Sequence, residues 1–187
     1  MNNSLLSLGI DTSNYKTSVA VTASNGDIIF NYQSFLEVKT GERGLRQSEA
    51  LFQHVQKLPE AVKEAFGTEG VLGNIGSVAV STRPRPIEGS YMPVFTAGAG
   101  TAKAIAAALG VPLYEFSHQE GHIEAVKHYS SMSKRDRLIC FHFSGGTTEA
   151  LLCDDNRGTM EIVGGSLDIA YGQVLDRVGV AMGYHFP

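Results

Sequence analysis

The sequence predicts an α/β protein made of two related lobes, the second shorter than the first. Three observations carry that prediction. Strand-like and helix-like periodicities alternate along the chain. A strand, tight turn, strand device occurs twice, at Asp11-Thr12-Ser13-Asn14 and at Ser144-Gly145-Gly146-Thr147-Thr148. After the polar stretch Ser130-Ser131-Met132-Ser133-Lys134, the opening order of strands begins again.

Leu5 to Ile10 and Thr17 to Thr22 read as the first two strands, and Ile28 to Tyr32 as the third. Asn25-Gly26-Asp27 joins the last two as a hairpin turn. From Ser48 to about Phe66 the apolar residues Leu51, Val55, Leu58, Val62 and Phe66 recur at three- and four-residue spacing, which predicts a helix capped by Ser48. Val78 to Ser81 is a short buried strand. Gly98 to Leu109 is an Ala-rich helix stopped by Gly110, with Pro112 beyond it. Val111 to Phe116 is a strand, and Ser117 caps a helix running through His122 towards His128. The first lobe, residues 1–132, is therefore β-β-β-α-β-α-β-α.

Residues 133–187 restart the pattern with strands at 138–143, 148–153 and 159–163 and a helix from Ser166 to about Met182. A β-β-β-α unit of that size buries little surface. It is expected to lean on the first lobe or a partner, or to belong to a longer natural protein, and the last is favoured.

Composition narrows the class. A content of 43% hydrophobic and 18% charged residues is that of a globular protein, and disorder would need fewer apolar groups. The net charge of −4 argues against broad, charge-driven nucleic-acid binding. Arg83, Arg85, Lys134, Arg135 and Arg137 form either a local basic patch or two solvated loops. The two cysteines, Cys140 and Cys153, lie in apolar runs and read as small buried hydrophobes in a reducing compartment. No apolar run reaches membrane-span length and no cationic-then-apolar leader precedes the first strand, so a cytoplasmic protein without a membrane partner is expected.

The two small-residue turns can expose backbone N–H groups to a phosphate, because no bulky Cβ blocks the approach. A doubled turn of this kind suggests two lobes closing on one nucleotide, although the Ser144 turn by itself also suits a plain hairpin. His118-Gln119-Glu120-Gly121-His122 places two imidazoles four residues apart, on one face of a helix, where both can reach a metal ion. Zinc or iron would need a further ligand, and the spacing equally suits two helix-surface histidines. Glu120 stands roughly 200° round the helix from His118, which speaks against a zinc peptidase. Asp168 and Asp176, eight residues apart, are expected on one helix face, either binding a ribose hydroxyl or metal-bound water or simply solvated.

Together these pieces resemble one family. Leu8-Gly9-Ile10-Asp11-Thr12-Ser13 is similar to its L-G-I-E-T-S opening, and Ser117 to His122 resembles its H-x-E-G-H metal motif. Phe143-Ser144-Gly145-Gly146-Thr147-Thr148 is similar to V-S-G-G-H-T, and Leu167 to Arg177 resembles I-D-D-A-x-G-E-A-F-D-K. Met182-Gly183-Tyr184-His185-Phe186-Pro187 resembles the L-G-x-x-Y-P that follows. The family is TsaD (Gcp, Kae-type), formerly called O-sialoglycoprotein endopeptidase.

The resemblance implies an actin-like, sugar-kinase-type (ASKHA, ribonuclease H-like) nucleotide-binding fold. It implies transfer of a threonylcarbamoyl group from threonylcarbamoyl-adenylate to N6 of adenosine 37 of tRNA, the t6A modification. His118 and His122 would hold one divalent metal, iron or zinc. His142, Phe143, Ser144, Gly145 and Gly146 would hold the adenylate phosphate and its surroundings, and Asp176 the nucleotide, either ATP or the acyl-adenylate. The family's third metal ligand, an aspartate from the later part of its second lobe, has no counterpart here. tRNA is the implied partner, with a TsaB-like subunit or a second copy of the chain.

Four positions depart from the family pattern. Lys16 replaces an acidic residue and could contact phosphate directly; Thr147 replaces a His, Ile169 an Asp and Gln173 a Glu. The G-P-G turn becomes Arg83-Pro84-Arg85. These changes suggest a divergent paralogue. They leave open a non-catalytic nucleotide-binding scaffold and, through Lys16, an actin-like phosphotransferase. Residues 1–187 by themselves are expected to bind nucleotide weakly and not to turn over. His54 falls where the family carries a helix histidine, with no role assigned from sequence.

Overall fold

The computed structural model describes residues 5–13, 15–38 and 45–184; Asn14 of the first turn and residues 185–187 of the terminal motif lie outside them. The element order is β1 (Leu6–Asp11), β2 (Lys16–Ala23), β3 (Ile28–Phe35), α1 (Gln47–Gly67), β4 (Ile75–Arg83), α2 (Phe95–Leu109), β5 (Leu113–Ser117), α3 (His118–His128), β6 (Arg137–Phe143), β7 (Thr148–Asp154), β8 (Thr159–Gly165) and α4 (Tyr171–Ala181). The expected β-β-β-α-β-α-β-α order and its β-β-β-α sequel are both present.

Two compact units divide the chain. The first holds a five-stranded sheet in the order β3-β2-β1-β4-β5. β1 pairs antiparallel with β2 and parallel with β4, and β5 continues the parallel side. Alternation places Leu6, Leu8 and Ile10 of β1 and Val19 and Val21 of β2 in the core. The Asn25-Gly26-Asp27 turn forms as expected, with Gly26 at φ 92°.

Helix α1 buries Ala50, His54, Leu58, Ala61 and Ala65, a stripe rotated from the one expected. Val55 is 53% exposed. The alanines explain the rotation, since small side chains let the helix lie close to the sheet, leaving Leu51, Val62 and Phe66 at the margin. Ser48 is not the cap: Arg46 takes that position, and its carbonyl accepts from the N–H groups of Glu49 and Ala50. Helix α2 starts at Phe95, three residues before the expected Gly98, and ends as expected on left-handed Gly110 (φ 66°).

The second unit holds the antiparallel sheet β6-β7-β8. Its core is Ile123, Leu151 and Cys153, flanked by Leu138, Cys140, Met160 and Ile162. Both cysteines are free, and burial together with the neighbouring Cys140 pushes the Cys153 thiol up to about 12. The polar stretch expected as the boundary forms a single 3₁₀ turn at Ser131–Lys134. The division falls instead inside α3, between Gly121 and His122, with residues 86–88 in the second unit. Ile123, just past that point, packs with Leu151 and Cys153.

Lys127 of α3 is buried, with its ammonium 2.6 Å from Asp155 and 2.8 Å from Glu124. Burial disfavours its charge, but the two carboxylates outweigh burial and hold its pKa above the ordinary 10.5. The contribution to stability is therefore complete below pH 10.5 and is lost as pH rises through the folded-state value. Urea unfolding of the chain is expected to shift to lower midpoint as pH rises above 10.5, and Lys127→Met to flatten that dependence. A midpoint in the unsubstituted chain that stays constant over this range would contradict the pairing.

Candidate functional site

Three parallel strands of the first unit end at one edge, at Asp11 of β1, Arg83 of β4 and Ser117 of β5. In open α/β sheets this carboxyl edge is where ligands bind. Asp11 turns back on its own chain, its Oδ1 accepting the Ser13 N–H at 2.8 Å. Its Oδ2 lies 2.8 Å from His118 Nδ1. Burial would raise the Asp11 pKa, but the His118 hydrogen bond and charge, with help from Ser13 and Ser81, hold it well below the usual carboxylate range.

His118 owes its position to the start of α3. The Ser117 hydroxyl accepts from the Glu120 N–H at 3.2 Å, while the Glu120 carboxylate accepts from the Ser117 N–H. This reciprocal pair is a capping box. Arg83 Nη2 stands 3.8 Å from the same carboxylate, and the Gln119 N–H donates to the Pro84 carbonyl. Glu120 thus serves the start of the helix. The Phe95 ring, 6.3 Å from the His118 ring, closes one side.

The first turn is fixed from behind. Thr12 is buried, donates to the Val94 carbonyl at 2.9 Å and accepts from the Gly98 N–H at 3.2 Å. A Cβ on Gly98 would stand 2.9 Å from the Thr12 hydroxyl, so glycine permits this approach. Thr17, also buried, lies 2.8 Å from His54 Nδ1. His54 therefore acquires a role that sequence left open: it holds the start of β2. Lys16 lies against β3, donating to Gln33 Oε1 at 3.0 Å with its ammonium 4.6 Å from the Phe35 ring centre.

In the second unit Phe143 ends β6 and Ser144 to Thr147 make the turn into β7. The Ser144 hydroxyl accepts from the N–H groups of Gly146 and Thr147, at 3.3 and 3.0 Å. These donors, expected to be open, converge on a side-chain oxygen, as the Ser13 N–H does on Asp11. The start of α4 abuts this turn, with the Tyr171 N–H donating to Thr148 Oγ1 at 2.7 Å. Gly172 allows the contact, because a Cβ there would sit 2.5 Å from the Ser144 carbonyl oxygen and 2.7 Å from the Gly145 nitrogen. Alanine gains about 1 kcal/mol of helix propensity over glycine. Overpacking against rigid backbone costs about 1–3 kcal/mol. Gly172→Ala is expected to lower the thermal midpoint of the second unit, and a raised midpoint would contradict the close approach.

Helix α4 begins at Tyr171, not Ser166, because residues 166–170 form a bend. Asp168 precedes the helix and Asp176 lies within it, so the two carboxylates do not share a helix face. Both are exposed. His118 and His122 stand four apart on α3 as predicted. His122 also meets an unexpected neighbour, His142 of β6, with ring centres 5.8 Å apart. Among the described residues no three His, Cys, Asp or Glu side chains group to hold a metal. The imidazoles nevertheless suit zinc or iron: a carboxylate on Nδ1, as Asp11 is on His118, typically orients a ligating histidine to offer Nε2. No helix of the described residues is long and apolar enough to cross a membrane.

The family model for TsaD, tRNA N6-adenosine threonylcarbamoyltransferase, matches residues 29–187. The chain belongs to the TsaD family. A tRNA N6-adenosine threonylcarbamoyltransferase from Geobacillus thermodenitrificans is 31% identical, aligned over all of this chain and 53% of its own length. One from Neorickettsia sennetsu is 28% identical over all of this chain and 54% of its own. The chain thus spans about half the length of the curated TsaD relatives it matches. Among solved structures, YeaZ from Pseudomonas aeruginosa superposes with a TM-score of 0.54 at 18% identity, over 89% of this chain and 67% of that one. EutJ from Carboxydothermus hydrogenoformans gives 0.53 at 15%, over 97% and 58%. The fold of this TsaD-family chain is the actin-like α/β fold expected from the sequence.

Proposed function

We propose that the protein acts in t6A-type modification, moving a threonylcarbamoyl group from its adenylate to N6 of adenosine 37 of tRNA. The observation that carries the reading is the Asp11–His118 pair at the carboxyl edge of the sheet, in a chain of the TsaD family. In the transfer a C–N bond forms at N6, the C–O bond to phosphate breaks, AMP leaves and N6 gives up a proton. His118 and His122 would hold a divalent metal, zinc or iron, which when bound polarises a carbonyl or phosphoryl oxygen. Asp11, 2.8 Å from Nδ1, would orient His118 to offer Nε2 to that metal. His142 to Gly146, beside the start of α4 whose dipole favours an anion, would receive the adenylate phosphate once the Gly146 and Thr147 N–H groups exchange the Ser144 hydroxyl for it. Asp176 would accept from a ribose hydroxyl. tRNA would be engaged with a TsaB-like subunit or a second copy, in the cytoplasm.

A second reading, an adenylate-binding subunit without transfer, is favoured by Lys16, which sits against Gln33 and Phe35 at a position where the family resemblance implies an acidic residue. The test incubates the protein of the complete gene with tRNA and threonylcarbamoyl-adenylate and quantifies the modified nucleoside by mass spectrometry. The transferase reading predicts modification that His118→Ala abolishes. Adenylate binding without modification would establish the subunit reading instead, and phosphate transfer to a small molecule would establish a phosphotransferase.

A further inference from the structure

β3 closes one side of the first unit's sheet, and among the described residues no strand pairs with its outer edge. Edge strands are normally blunted by brevity, charge or proline. β3 runs for eight residues, Ile28-Ile29-Phe30-Asn31-Tyr32-Gln33-Ser34-Phe35, with no charged residue and no proline. The opposite edge, β5, has five residues and carries Glu115. Ile28, Ile29 and Phe35 are exposed, Phe35 at 69%.

The ladder to β2 fixes which backbone groups of β3 are left over. The Leu36 N–H donates to the Tyr15 carbonyl at 2.8 Å, and the hydrogen-bonded pairs Thr17–Ser34 and Val19–Tyr32 follow by alternation. The residues between them, Asn31, Gln33 and Phe35, therefore turn their N–H and C=O groups outward. Ile29 is a bulge, since Val21 stands opposite Phe30 and Thr22 opposite Ile28. An outward row of this kind is a template for another strand.

We infer that β3 pairs antiparallel with β3 of a second copy of the chain, about a two-fold axis at Asn31. A two-fold axis normal to the sheet brings outward-bonding residues together only when it passes through a residue. Charge selects which one. Centred on Asn31, each Phe30 faces Tyr32 of the other copy, an aromatic cross-strand pair. The same register brings Asp27 of one copy alongside Phe35 of the other, where the Lys16 ammonium lies 4.6 Å from the ring centre. Centred on Tyr32, Asp27 would oppose Glu37. Centred on Gln33, which Lys16 contacts at 3.0 Å, the two ammonium groups would converge. The axis reverses strand direction, so the joined sheets carry their carboxyl edges at opposite ends and both stay open. The pairing gives a form to the second copy named above as a partner, yet it rests on the strand edge and not on the reaction.

Sedimentation velocity of the full chain from about 1 to about 100 µM reads the association. The parent is expected to dimerise reversibly, and Asn31→Pro to stay monomeric throughout. That proline removes a donor turned away from β2, so the variant should melt close to the parent. Cross-linking tests the axis without proline. Opposite residues of a hydrogen-bonded pair have Cα atoms about 5.5 Å apart, within disulfide range, so Asn31→Cys should form a covalent dimer with oxidised glutathione. Gln33→Cys should not, because Gln33 stands opposite Ile29, about 13 Å along the strand from the other Gln33. The parent, whose Cys140 and Cys153 pack in the second unit, is the control. A parent monomeric up to about 100 µM would overturn the pairing, leave the edge to an extended segment of another protein, and leave the transferase reading as it stands. An Asn31→Pro chain that dimerises as well as the parent, or a Gln33→Cys chain that cross-links while Asn31→Cys does not, would overturn it too.

Discussion

Under the transferase reading, Asp11→Asn is expected to lower threonylcarbamoyl transfer by about tenfold to a hundredfold while the fold is retained. Asparagine keeps the shape of the side chain, and its carbonyl can still accept the Ser13 N–H that closes the first turn. What is lost is the negative charge 2.8 Å from His118 Nδ1. That charge makes the imidazole a better donor of electrons at Nε2 and fixes which way the ring points. A merely structural Asp11 would leave zinc affinity untouched, so affinity is read beside the rate, and both should fall together. Asp11→Ala should do worse, because it also removes the acceptor for Ser13. An Asp11→Asn protein with unchanged transfer would remove Asp11 from the functional reading.

His54→Ala is expected to destabilise the first unit by about 3 kcal/mol, measured by urea unfolding. The ring is fully buried in α1, and its removal leaves a cavity in a closely packed interior. It also takes away the partner 2.8 Å from the buried Thr17 hydroxyl. Leaving such a group without a hydrogen bond costs about 1–3 kcal/mol on its own. Thr17→Val supplies the complementary deletion, and the double variant should cost less than the two single changes added together. A loss below about 1 kcal/mol for His54→Ala would mean the pair contributes little. Because Thr17 follows the first turn, transfer activity should also fall in the variant even where it remains folded.

Local patterns made the fold legible. Alternation in β1 and β2, the Asn-Gly hairpin and Gly110 at the end of α2 are all decided by neighbours in sequence. The misplacements are equally physical. The apolar spacing in α1 pointed to Val55, but small alanines set the buried stripe. Nothing in the composition of residues 166–170 distinguishes a bend from a first helical turn, so α4 was expected five residues early.

The site was legible in its residues more than in its pairings. His118 and His122 announced themselves by spacing. Asp11 and His118 are 107 positions apart, and only the parallel register of β1, β4 and β5 joins them. His54 and Thr17, and His122 and His142, likewise meet only through packing. One signal was only half used: Ser117 reads as the cap, and Glu120 three residues later completes the capping-box pattern that fixes where His118 must stand. The two turns look alike in sequence, yet their N–H groups close on Asp11 and Ser144 side chains, a local competition that sequence spacing does not reveal.

The functional reading turns on His118 held by Asp11, and ¹⁵N NMR of the histidine side chains during a Zn²⁺ titration observes that pair directly. The predicted result is zinc on Nε2 of His118 with Nδ1 still protonated towards Asp11. Zinc bound through Nδ1, or a His118 ring that zinc leaves unperturbed, would contradict it.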